Sequence, residues 1–155
     1  MKFLYLVIAL CCFGQVVPAQ NYKVSKPPID GTITIAKPHP ILKCDLGADI
    51  QRLDVQSDSN TVYNIVEGEV TACLKIGGVF LVMVQCDSLF YIYSNLKNTF
   101  VQKHQRINTN APIGELETDD DGKKYSLTFS VWDNQKPYKE LPIASLLKIL
   151  KAKKK

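Results

Sequence analysis

The chain is predicted to be an all-β domain of short antiparallel strands, an expectation that rests on three observations. Runs rich in β-branched, aromatic and aliphatic residues recur at 31–35, 61–66, 69–76, 79–85, 89–93, 113–118 and 125–132. Asp, Asn, Gly and Pro punctuate them throughout. Only residues 144–151 read as helix. In chain order, Thr32 to Ile35 alternates like a strand until Pro38 and Pro40 break it. Residues 61–66 lead into Glu67-Gly68. Residues 69–76 and 79–85 meet across Gly77-Gly78, a two-residue hairpin signature. Residues 89–93 alternate large apolar side chains with others. The last two strands, 113–118 and 125–132, flank Asp119 to Lys123 (DDDGK), which is turn chemistry.

Residues 1–19 read as a secretory signal rather than as part of the fold. Lys2 supplies the positive start, residues 3–13 a short apolar run, and Val17-Pro18-Ala19 small residues at −3 and −1, so cleavage is expected before Gln20. Neither Cys11 nor Cys12 follows the small residue a lipid-modified cysteine needs. No later segment approaches the ~20 apolar residues of a membrane helix. The expectation is an exported protein with a short tether at 20–28, one domain at 29–150 and a basic tail at 151–155.

The net charge is +4, but lysine fills five of the last eight positions (Lys148, Lys151, Lys153, Lys154 and Lys155) and the body without them is slightly acidic. That pattern excludes a groove that tracks nucleic acid, and leaves membrane contact only to the tail. Cys44, Cys73 and Cys86 remain after cleavage and allow at most one intramolecular disulfide, with buried thiols as the alternative. They lack the paired spacing of a zinc knuckle. His39 and His104 are the two histidines, both read as loop residues, and no nucleophile elbow or phosphate loop accompanies them.

Residues 91–141 read YIYSNLKNTFVQKHQRINTNAPIGELETDDDGKKYSLTFSVWDNQKPYKEL. Tyr93-Ser-Asn-Leu96 is similar to a Y-A-H-L motif. Ile113-Gly114 matches the end of V-x-x-G-x-x-V-x-x-G-x-x-I-G. Ser126-Leu-Thr-Phe-Ser-Val-Trp132 matches H-L-H-F-E-V-W, and Lys136-Pro137 matches G-K-P-x-x-P. Upstream, Pro38 to Lys43 and Leu46 to Ile50 resemble H-P-V-L-K and G-I-D-I, and Val66 to Val70 an A-D-G-x-V strand entry. Together these resemble the LytM/lysostaphin family of peptidoglycan zinc endopeptidases, in a Bacteroidetes-type form, over about residues 28–150. The resemblance implies an antiparallel β-sandwich with a groove, closed by a short C-terminal helix.

Active members of that family hold one zinc with an H-x-x-x-D pair and the second His of H-x-H, while two further histidines position water and carbonyl. The resemblance sets Asp49 at the aspartate position and Asp45 at the histidine before it. Asn95 stands at the Y-A-H-L histidine, and Ser126 and Thr128 at the H-x-H pair. Hydroxyls and a carboxamide are poor zinc donors and cannot titrate as bases. The expectation is therefore a pseudoenzyme with no catalytic residue and no cofactor, zinc being the family's metal. Tyr93 and Trp132 are candidates to line the groove, although alternating strand aromatics usually serve a core. The implied partner is peptidoglycan or an envelope protein such as a murein amidase. The alternatives are a residual metal-dependent endopeptidase and a purely structural envelope protein.

Overall fold

In a computed structural model, the structure describes residues 24, 26–32, 34–35, 42–43, 49–118, 122–133 and 148. Among them ten strands form: β1 (Thr34–Ile35), β2 (Leu42–Lys43), β3 (Asp49–Ser57), β4 (Thr61–Tyr63), β5 (Gly68–Ile76), β6 (Val79–Cys86), β7 (Leu89–Thr99), β8 (Arg106–Ile107), β9 (Pro112–Leu116) and β10 (Tyr125–Asp133). Their pairings are all antiparallel. The main sheet runs β1-β3-β10-β7-β6-β5-β8, with β2 beside β3 and a β4–β9 ribbon attached to β7.

Period-two alternation decides which side chains make the core. Leu127, Phe129 and Val131 of β10 are fully buried, as are Leu89, Tyr91 and Tyr93 of β7; Leu53 and Val55 supply β3. Val62, Ile113 and Leu116 of the β4–β9 ribbon join the same cluster, so the ribbon closes the core against the sheet. Each such aliphatic or aromatic side chain contributes about 1.5–3 kcal/mol when fully buried. The ribbon approaches β7 closely: a Cβ on Gly114 would lie 2.3 Å from the Asn98 carbonyl oxygen, so only glycine fits there.

β7 changes partners along its length. It pairs with β10 through Ser94 and with β6 through Leu96, then with β9 from Leu96 to Thr99. The register slips beside Asn95, which adopts φ +71°. This is a β-bulge at a left-handed residue, the conformation Asn tolerates best after Gly, and it bends the strand.

Several expectations need correction. The strand at 89–93 continues to Thr99. β3 was not anticipated, because Arg52, Asp54 and Gln56 break its apolar character while Leu53, Val55 and Ser57 hold the buried positions. Between β9 and β10, which flank the expected turn, an isolated bridge joins Thr118 to Tyr125. Of the tether, Val24, Pro27 and Pro28 are buried, and the Pro28 carbonyl accepts from the Tyr63 N–H at 2.7 Å. Gly77 and Gly78 take φ +60° and +93°, as a hairpin turn with two left-handed residues requires. Of the expected helix only Lys148 is described, and it is helical; the rest of 144–151 and the signal segment lie outside the described residues.

Candidate functional site

Opposite the core, β3, β10 and β7 present a second face. On β10 it carries Ser126, Thr128 and Trp132, half-buried, alternating with the buried Leu127, Phe129 and Val131. The ladder sets Thr128 between Asp54 on β3 and Ser94 on β7. Ser126 faces Gln56. One row therefore crosses three adjacent strands as Asp54–Thr128–Ser94.

Within this row the side chains hold one another. The Thr128 hydroxyl donates to Asp54 Oδ1 at 2.8 Å. The Asn95 carboxamide donates from Nδ2 to the Ser126 carbonyl at 2.6 Å. Asn95 reaches that carbonyl because the bulge turns it out of strand alternation. Of the residues the sequence selected, Asn95 thus meets the backbone of Ser126, and Thr128 lies opposite Ser94, the residue before Asn95.

It does not bring Asp49 to them. Asp49 opens β3 opposite Lys43, five residues before Asp54 and about 16 Å along the strand at the usual rise per residue. The carboxylate that meets Thr128 is Asp54, which sequence reasoning missed. The missed signal was period-two alternation over 52–57, which sets Asp54 on the polar face between Leu53 and Val55. Asp45 and Cys44 lie outside the described residues, as does His39.

Tyr93 is also corrected as a groove residue. It sits on the core face, fully buried. Its hydroxyl donates to Asn64 Oδ1 at 3.0 Å and accepts from the Ile65 N–H at 3.1 Å. Burial pushes its phenol well above the ordinary range, and the Ile65 contact offsets this only in part. Asn64 continues the network to the Val66 and Asn108 carbonyls. Trp132 does stand on the outer face, stacked on Phe90 with ring centroids 5.1 Å apart. Among the described residues its buried indole N–H has no hydrogen-bond partner.

Zinc does not fit this donor set. One carboxylate, already accepting from a hydroxyl, a second hydroxyl and a carboxamide that faces a backbone carbonyl offer no imidazole and no thiolate. Among the described residues no three His, Cys, Asp or Glu side chains converge. Cys73 and Cys86 are free thiols, so they form no disulfide with each other. His104 takes φ +70° in an exposed turn, with Nδ1 3.2 Å from Glu69 Oε1. An open depression of about 490 Å³ lies elsewhere, lined by Glu67, Glu69, Gln85, Cys86, Asp87 and Arg106, and it shares no residue with the row. Burial, then Asp87 and Glu67, push the Cys86 thiol up, which keeps it protonated rather than nucleophilic.

The fold matches several solved structures. Lysostaphin aligns with a TM-score of 0.56 at 14% identity, over 76% of this chain and 51% of its own. A chain from the SpoIIIAH–SpoIIQ complex aligns at 0.51 and 14%, over 68% of this chain and 90% of its own. Csd3 of Helicobacter pylori aligns at 0.50 and 18%, over 83% and 40% respectively. The chain thus spans about half the length of lysostaphin. No family model and no curated protein sequence matches it. These likenesses define the class: a LytM-like antiparallel β fold.

Proposed function

We propose that this chain is an exported, non-catalytic LytM-like domain that binds peptidoglycan or a protein partner in the cell envelope. The observation that carries the reading is the Thr128–Asp54 hydrogen bond. On the family's H-x-x-x-D pattern, Asp54 takes the aspartate position and Ile50 falls on the histidine. Thr128 falls on the second histidine of H-x-H and Asn95 on that of Y-A-H-L. Where an active member would hold a metal and a water, this chain holds a self-satisfied polar row.

A binding role fits the face around that row. Phe90 and Trp132, stacked and half-buried, form an aromatic surface suited to a sugar ring. The SpoIIIAH–SpoIIQ neighbour is a protein–protein complex, which supports a protein partner in general terms. Export rests on the signal-like residues 1–19 and on the cell-wall character of the family resembled.

The test mixes the purified protein with intact sacculi, pellets them, and scores protein in the pellet and muropeptide in the supernatant. Protein in the pellet without release supports wall binding. Absence of both directs the reading to a protein partner, to be sought by pull-down from envelope extracts. Release abolished by a chelator would overturn the non-catalytic reading.

A further inference from the structure

Among the described residues the sheet ends in an open edge. β8 covers β5 only at Gly68 and Glu69, and the next backbone contacts, Val70 N–H to the Gln105 carbonyl and His104 N–H to the Val70 carbonyl, stop at Val70. Among the described residues nothing pairs with the outer side of Thr71 to Ile76. Backbone donors and acceptors left in a row select one kind of occupant, another extended strand.

The sequence of this edge is Thr-Ala-Cys-Leu-Lys-Ile. Leu74 is 50% exposed and Ile76 59% exposed, large apolar side chains two residues apart and therefore on one face. An edge lysine ordinarily guards against pairing, yet Lys75 turns back over its own hairpin, with Nζ 5.3 Å from the Phe80 ring centroid. Phe80 lies opposite Lys75 on β6, the side away from the open edge. The guard is directed inward.

We infer that β5 pairs edge to edge with β5 of a second copy of this chain, antiparallel and centred on Leu74. A twofold centred there sets Leu74 against Leu74 and Ala72 against Ile76, small against large on one apolar face. It sets Lys75 against Cys73, so the edge's only charges, the two lysines, do not oppose one another. A twofold pairing of this kind needs no second surface to be complementary. It would extend the sheet of each copy away from the Asp54–Thr128 row and leave that row unchanged.

Sedimentation equilibrium on the purified chain tests this, with circular dichroism as the check on fold. The expected result is a concentration-dependent dimer that Leu74→Glu, which opposes two carboxylates at the twofold, converts to monomer with the spectrum unchanged. Cysteine crosslinking fixes the register. In a Cys73→Ser background, Leu74→Cys should give a disulfide-linked dimer under mild oxidation, well above the Cys73→Ser parent. Phe100→Cys, exposed but off this edge, should not. A monomer at every concentration, or equal crosslinking at Leu74→Cys and Phe100→Cys, would overturn the proposal.

Discussion

The Thr128 hydroxyl lies 2.8 Å from Asp54 Oδ1 and joins β10 to β3 at the centre of the outer face. The Thr128 side chain satisfies its neighbour's carboxylate. A half-buried hydrogen bond to a charged acceptor contributes about 1 kcal/mol or somewhat more. Thr128→Val, which keeps the β-branched shape, should destabilise the protein by about that much in urea unfolding. Asp54→Asn should cost a similar amount. The double variant should cost less than the sum of the two, since each single change removes the same contact.

Asn95 combines a left-handed backbone at φ +71° with a hydrogen bond to the Ser126 carbonyl. Glycine keeps the first and loses the second; valine loses both. Asn95→Gly should therefore cost about 1 kcal/mol or less, and Asn95→Val about 2–3 kcal/mol, since strain at such a residue is of order 1–3 kcal/mol. Thermal unfolding of the two variants gives the ranking.

Tyr93→Phe should be expensive for a one-atom change. It leaves Asn64 Oδ1 and the Ile65 N–H buried without the phenol oxygen they share, a cost of about 1–3 kcal/mol. The same residue predicts an alkaline effect. Burial raises the folded phenol above its unfolded value of about 10. The folded state then keeps a proton that the unfolded state releases, so the contribution is full below about pH 10 and is lost as pH rises beyond it. Between pH 10 and 11.5 the native protein should lose more stability than Tyr93→Phe, measured by denaturant midpoints.

Much of the fold was legible because alternation and glycine turns are local signals. Glu69 to Ile76, Gly77-Gly78 and Val79 to Gln85 form the hairpin their residues predict. The site was legible only in part. Asn95, Ser126 and Thr128 sit in well-framed motifs, and strand pairing sets Asn95 against the Ser126 backbone and Thr128 opposite Ser94. Asp54 was missed because its neighbours carry charge and no motif word surrounds it. Its place depends on the β3–β10 register, a contact between residues 74 apart in sequence. Tyr93 was misplaced for a related reason: an aromatic in a motif carries no mark of which face its strand turns to the core.

Asp54, not Asp49, meets Thr128 across β3 and β10, and the side chains around that contact supply none of the imidazoles a zinc site requires. Calorimetric titration with zinc distinguishes the two aspartates, comparing the native chain with two rebuilt ones. The first carries Ile50→His, Asn95→His, Ser126→His and Thr128→His, with Asp54 retained. The second carries Asp45→His in place of Ile50→His. The expected result is no tight zinc binding by the native chain and a clear gain in the first variant that exceeds the second and that Asp54→Ala removes. Tight binding by the native chain, or a gain in the second variant that depends on Asp49 rather than Asp54, would contradict it.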